Sequence, residues 1–481
     1  MRLKSYTSLS AALALFSSIA GGLMVTPTAD AQVLRDLTGR VEDRLGDTIA
    51  DQVDDRLNDR LRDVEELRLP ENLDELVEID RLENLLESDR FQILSSSFIG
   101  NTLEDTINRL GGAVAGVRQA AQTRRAFARS IDIERYDDLP AMRDEWVVMV
   151  SADQAAALEA LDLTVLERND LSAAQSSLFV LRFPSENAGR VRNDLAQLGA
   201  DILERNYVYR AAGQAAVVNE AGEQASHLPA IDASSARFRL GMIDTDVEEG
   251  HEALAGLSLR EADFVSHGDL RPTGHGTAVA SILSSVSGAG DDRSLLAASA
   301  FFLSSEGQTG ATTSSLIQSI DWLVSEGADV INVSLTGPPD ASLERFITQM
   351  QARGVVFVAA VGNGGPAAAP LYPAAYDGVV GVTAVDEAGQ VYRWANRGAY
   401  VDIAALGVNV TVAAPDGGTR RDSGTSFASP LVSAFLAGWA DGQLSEGDVS
   451  ARLASAVSWA PEQGRDAGFG IGILTLSPER D

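Results

Sequence analysis

The second half of this chain reads as an α/β domain with a doubly wound, mostly parallel sheet. A smaller α+β module and an acidic helical N-terminal region precede it. Three observations predict this. From about residue 238 to 457, short buried-strand runs alternate with helical runs. Residues 145–210 follow the order β-α-β-β-α-β. Before them, apolar residues recur at helical spacing in a strongly charged background.

The start carries Arg2 and Lys4, then an apolar stretch from about Leu9 to Val25, then Ala29-Asp30-Ala31. That is the pattern of an export signal with its cleavage site. Ser17, Ser18, Gly21 and Gly22 dilute the stretch, which favours cleavage over retention as an anchor. Residues 1–31 are assigned to the signal, and an exported protein, periplasmic or extracellular, is expected. Residues 32–140 form the acidic helical region. Val33, Leu37, Val41, Leu45, Ile49, Val53, Leu57 and Leu61 recur every four residues, a stripe that drifts around the helix in the right-handed sense. Two readings stay open here: an arm for a protein partner or self-association, or a solvated spacer.

Residues 141–212 are the α+β module. Strands are expected at 146–150, 163–166, 178–183 and 202–209, with helices at 152–161 and 186–198, a ferredoxin-like order. Residues 213–234, rich in Ala, Gly, Gln and Glu, read as an exposed linker open to nicking, with a cut between about Ala211 and Pro229. Residues 235–481 are the α/β domain, with strands near 238–243, 297–303, 329–334, 354–360 and 379–385. Its helices are expected near 275–286, 313–326, 341–353, 426–439 and 447–457.

Composition narrows the function. The net charge of −31, from 38 basic and 69 acidic residues, argues against nucleic acid and anionic membranes as partners. The chain has no cysteine, so it holds no disulfide and no thiolate metal site.

Four segments carry chemistry. Leu240-Gly241-Met242-Ile243-Asp244-Thr245 places a carboxylate at the end of a buried strand, where sites gather in open α/β sheets. Gly274-His275-Gly276-Thr277 opens a helix of small apolar residues; its glycines are expected to let a substrate backbone come close. Gly424-Thr425-Ser426-Phe427-Ala428-Ser429-Pro430 puts Ser426 at a helix N-terminus, where free N–H groups favour developing negative charge, with Pro430 expected in the first turn. Gly354–Val361 is a buried strand that breaks at Gly362-Asn363-Gly364. A serine hydroxyl needs a base to take its proton, and an imidazole base needs an acceptor to fix its tautomer. Each segment alone is more often structural; together, in the order Asp, His, Ser, they read as a catalytic set. His251 is read as structural, and His227 and His267, in no motif, as exposed.

These motifs, in this chain order, resemble the subtilisin-like serine proteases (subtilases, peptidase S8 type) over about residues 235–481. The resemblance implies Asp244 orienting His275, His275 as general base, Ser426 as nucleophile, and Asn363 with the Ser426 N–H as oxyanion hole. Losing such a side-chain donor typically costs on the order of 10²–10³ in rate. It also implies that Ser334, Leu335, Thr336 and Gly337 pair with substrate backbone, and that Ala359, Ala360, Val361 and Gly362 line the pocket for the residue before the scissile bond. The module at 141–212, ending Glu204-Arg205-Asn206-Tyr207-Val208-Tyr209-Arg210, resembles the inhibitor-type propeptide of that family, which implies a self-processing zymogen with its own propeptide as intramolecular inhibitor. Polypeptide substrates are expected, and no metal or cofactor. Departures exist: Asp246 and Thr336 stand where glycines are usual. A catalytically inactive relative that uses the helical arm as a binding or scaffold protein is the alternative. An α/β-hydrolase is disfavoured because Gly424–Ala428 lacks the second glycine of G-x-S-x-G. Asp246, Glu248 and Glu249 are expected to raise the pKa of His275.

Overall fold

The computed structural model describes residues 131–200, 202–212, 239–268, 271–286, 294–304, 307–415, 417–438, 445–459, 461 and 464–475. All described residues belong to one compact unit, 127–481. The expected export signal, nearly all of the expected acidic helical region and the expected linker at 213–234, with His227, lie outside the described residues.

The module begins earlier than the expected boundary at 141. Strand β1 (Ile133–Tyr136) turns back on β2 (Leu139–Ser151), with Asp137 and Asp138 at positive φ in the turn. Helix α1 (Ala152–Glu159), β3 (Thr164–Leu171), β4 (Ser176–Arg182), α2 (Ala188–Gln197) and β5 (Glu204–Ala211) follow. The sheet runs β3-β4-β2-β5. Trp146, Phe179, Leu181, Val191 and Leu195 are buried between that sheet and the two helices. Arg205 is fully buried, which only pairing makes tolerable: its guanidinium bonds Glu134 and lies over the Trp146 and Tyr136 rings.

The larger domain contains β6 (Arg239–Asp244), β7 (Ser258–Asp263), α3 (Gly274–Val286), β8 (Ser294–Ser299), β9 (Phe301–Leu303) and β10 (Thr309–Thr312). It continues with α4 (Thr313–Ser325), β11 (Val330–Val333), β12 (Leu335–Thr336), α5 (Ala341–Gln351), β13 (Val356–Ala360), β14 (Val380–Val385) and β15 (Ile403–Leu406). Its last part has the hairpin β16 (Val410–Ala413) and β17 (Thr419–Asp422), helices α6 (Thr425–Ala437) and α7 (Glu446–Ser455), and edge strands β18 (Val457–Trp459) and β19 (Ile473–Leu474). The main sheet is ordered β18-β19-β15-β14-β13-β11-β6-β8-β7 and is parallel apart from β18. Both faces are covered, so its strands are continuously apolar, as in Val330–Val333 and Val356–Ala360. From β6 the chain builds β7 and β8 on one side and then β11 on the other. The carboxyl end of β6 is therefore a switch point, where open sheets leave a crevice.

Module and domain share a core. Val147, Leu178 and Tyr209 belong to the same buried cluster as Ile317, Phe346 and Phe357. Strand β5 also pairs antiparallel with β10, so one sheet crosses the junction. The loop after β3 seats its Ser172 and Ala173 N–H groups on the Asp321 carboxylate of α4, and Arg353 donates to the Ala173 carbonyl. Asn206 accepts from the Ser314 N–H in the first turn of α4, where N–H groups lack helical acceptors.

His267 is not exposed as the sequence led us to expect. It is buried, with Nε2 3.1 and 3.2 Å from the carboxylate oxygens of Glu145 in β2, and Asn206 Nδ2 donates to the same carboxylate. Ala211 and Ala212, placed near the exposed linker, are buried as well.

Candidate active site

Asp244 ends β6 with φ +55°, a left-handed conformation that aspartate tolerates better than most residues. Its Oδ1 accepts from the Thr245 N–H at 2.7 Å and lies 2.7 Å from His275 Nδ1. His275 begins α3, and its Nε2 lies 3.1 Å from Ser426 Oγ. Three elements distant in sequence thus meet in one hydrogen-bonded chain. The glycine after His275 serves a purpose other than the expected one. A Cβ on Gly276 would collide with the carbonyls of Thr245 and Asp246, and its N–H donates to Thr245 Oγ1. It locks α3 onto the end of β6 and so fixes the Asp–His distance.

The loop after Asp244 folds back: the Val247 N–H donates to Glu261 of β7, whose carboxyl burial pushes up to about 7. His251 Nδ1 accepts from the Ala253 N–H, a local structural role. Burial opposes charge on His275, but the Asp244 carboxylate, through its charge and hydrogen bond, outweighs it. Asp422 raises the pKa further, Arg420 opposes, and the net shift is upward. After Asp244, the carboxylate acting most on the imidazole is Asp422, on the β16–β17 hairpin, which the sequence did not single out.

Ser426 lies in the first turn of α6, which Gly424 caps without a side chain. Pro430 lies deeper in the helix than expected. It cannot donate to the Ser426 carbonyl four residues back. Ser334 Oγ takes that role, donating to the Ser426 carbonyl at 3.0 Å. Asn332 Nδ2 in turn donates to Ser334 Oγ at 2.8 Å, so the two segments are tied firmly.

Asn363 follows β13. Its Oδ1 accepts from the Thr425 N–H at 3.1 Å and from Thr425 Oγ1 at 3.2 Å. This turns Nδ2 the other way, where it is buried without a partner among the described residues. An unpaired buried amide donor costs about 1–3 kcal/mol, which a site can sustain when the donor serves a transient acceptor.

Of the eight residues expected to bind substrate, Leu335 and Thr336 form β12. The strand opposite is β5 of the chain's own module, with Leu335 against Ala211 and Thr336 against Arg210. The Ala212 N–H donates to the Ser334 carbonyl at 3.1 Å. On its other edge β5 pairs with β10, Tyr209 against Ala311. The Tyr209 ring lies on Gly337 so closely that a Cβ there would overlap it. Asp340 beside it is buried, and burial pushes its carboxyl up to about 7. Ala359, Ala360, Val361 and Gly362 lead directly to Asn363; the first three are buried, and the Gly362 N–H donates to Thr425 Oγ1. The sequence reading missed β10 as the second rail of this groove, although Thr309–Thr312 has the β-branched character of a strand.

Among the described residues, no cluster of three or more His, Asp or Glu could hold a metal ion. No described helix is long and apolar enough to cross a membrane.

Comparison with known proteins places this geometry in a class. Residues 236–472 match the peptidase S8 model, the subtilase family. Subtilisin DY of Bacillus licheniformis is 34% identical over 215 residues, 42% of this chain and 76% of that protein. The minor extracellular protease Epr of Bacillus subtilis is 32% identical over 42% of this chain but only 32% of its own length. A thermophilic serine proteinase of a Bacillus species is 32% identical over 41% of this chain and 51% of its own. Among solved structures, the prenylagaramide maturation protease PagA aligns with 51% of this chain and 92% of that one, at 26% identity and a TM-score of 0.42. The chain belongs to the subtilase family of serine proteases.

Proposed function

We propose that this protein is an exported serine endopeptidase made as a self-processing zymogen. The observation that carries the catalytic reading is the continuous hydrogen-bonded chain from Asp244 through His275 to Ser426. Neutral His275 takes the proton of Ser426 Oγ through Nε2 as the oxygen attacks the peptide carbonyl. Asp244 holds Nδ1–H and stabilises the imidazolium that results. The oxyanion receives the Asn363 amide donor and the Ser426 N–H. His275 then gives its proton to the departing amine. Water, activated by the same imidazole, releases the acyl group and restores Ser426.

Residues 133–212 act as the inhibitor domain in this reading. The segment Tyr209–Ala212 lies between β10 and β12 as a peptide substrate would, by strand addition. Ala212 is then the residue before the cut, and the maturation bond is Ala212–Gly213, inside the interval expected from sequence. Retention of the whole constellation leaves the inactive alternative without a supporting observation. Export rests on the N-terminal signal pattern and is matched by a relative named as extracellular.

A fluorophosphonate probe tests the central claim. It should label the processed protein at Ser426, and Ser426→Ala should lose both labelling and peptide hydrolysis while accumulating unprocessed chain. Hydrolysis of casein above background by Ser426→Ala, or processing equal to wild type, would overturn it.

A further inference from the structure

We propose that Asn396 is a positioning residue for the oxyanion donor, acting through Asn363 rather than on substrate. The inference rests on the protease reading and adds a residue to its machinery. Asn363 stands in the run Gly362-Asn363-Gly364-Gly365, with Gly362 at φ +103° and Gly365 at φ +98°. A backbone of glycines has little stiffness of its own. A donor that serves a transition state must nevertheless be aimed before the reaction begins. Something outside this turn has to hold it.

Asn396 holds the turn on both sides of Asn363. Its own N–H donates to the Gly362 carbonyl at 3.0 Å, one residue before Asn363. Its side-chain Oδ1 accepts from the Gly364 N–H at 2.7 Å, one residue after it. The neighbouring backbone adds a third bond, from the Gly365 N–H to the Trp394 carbonyl at 2.8 Å. The Asn396 amide is fixed in this sense because Nδ2 donates to the Ala369 carbonyl at 3.2 Å. Turned over, it would set N–H against N–H and oxygen against oxygen. Asn396 is fully buried. A second, independent observation agrees: the glycines make room for it. A Cβ on Gly364 would stand 3.3 Å from Asn396 Oδ1, and one on Gly362 3.4 Å from Nδ2. Thr425 fixes Oδ1 of Asn363 from α6, so the side chain of Asn363 is held by one residue and its backbone by the other.

A double-mutant cycle on kcat tests this. Each variant is cut in trans by tagged wild type, freed of the module and of the tagged enzyme, and assayed with the coumarin amide of Tyr-Arg-Ala-Ala, the sequence of Tyr209–Ala212. Asn396→Ala should lower kcat at least about tenfold with KM little changed, since a misaimed donor is missed only in the transition state. In the Asn363→Ala background the same substitution should leave kcat where it stands, because no donor remains to be aimed. A residue that merely supports the fold would lower Tm and cost the same factor in both backgrounds. Asn396→Ser, which keeps the backbone bond and a polar group, serves if the alanine variant does not fold. An unchanged kcat in a folded Asn396 variant, or equal losses in the two backgrounds, would overturn the proposal and leave the triad standing. If Ser426 takes a fluorophosphonate label while Asn363→Ala keeps full kcat, the oxyanion assignment falls and this proposal with it. If Ser426 takes no label and the peptide is not cut, the protease reading itself falls.

Discussion

Two histidine–carboxylate pairs lie buried in this molecule and do opposite work. His275 meets Asp244 through Nδ1 at 2.7 Å and keeps Nε2 for Ser426. His267 spends Nε2 on Glu145 at 3.1 Å, across the junction between the inhibitor-like module and the larger domain. In the mechanism we propose, one nitrogen of the first pair is anchored so that the other can move a proton. In the second, the bond itself is the result: it joins two parts of the fold, and Asn206 ties the same carboxylate to α4. A buried imidazole beside a carboxylate is therefore no mark of catalysis; the partner of its second nitrogen decides.

The largest expected effect tests the first pair. His275→Ala should cut kcat by about six orders of magnitude, since members of such a chain act as a unit. This variant should not process itself, so it is cut in trans by wild type, freed of the module and assayed with a coumarin peptide; a loss under a hundredfold would show that His275 is not the base.

The second pair should respond in a different quantity. Breaking a buried pair strands the remaining group and typically costs about 3–5 kcal/mol. Glu145→Ala should therefore loosen the module, and the processed but unseparated protein should show at least tenfold more residual activity. The kcat of enzyme freed of the module should stay as in wild type. A change in that kcat would erase the distinction between the pairs.

The smallest effect sharpens the first pair. His275 must be neutral to act, and its pKa is raised, so activity falls as pH drops through a value above the usual imidazole range. Asp422→Asn removes a carboxylate that favours the imidazolium while Arg420, which opposes it, remains. The acid limb of kcat/KM should move to lower pH, and the shift should shrink in high salt. A limb that stays fixed or moves upward at low salt would rule out this electrostatic link.

Sequence alone brought out the first pair and missed the second for a physical reason. Asp244, His275, Asn363 and Ser426 each sit where an apolar run breaks at small residues, so local pattern marks them. His267 has no such frame, and its partner lies 122 positions away. The alternation of strands and helices was legible for the same reason, because buried strands such as Val356–Ala360 are continuously apolar. Strands β7 and β17 were not, since Ser258–Asp263 and Thr419–Asp422 carry as many charged as apolar residues or more. Asp422 stands in no motif, and only the folded hairpin brings it towards His275.

Ser334 gives the groove a measure of length. Its carbonyl holds the Ala212 N–H, while its hydroxyl grips the carbonyl that Pro430 leaves free on Ser426, the nucleophile we propose. A single amino acid thus spans from the docked chain to the nucleophile. Under the proposed mechanism, a peptide that lies in the groove would be registered by this one span and cut at a fixed step along its backbone. Proline deep in a helix, ordinarily a flaw, here supplies the fixed end of a ruler.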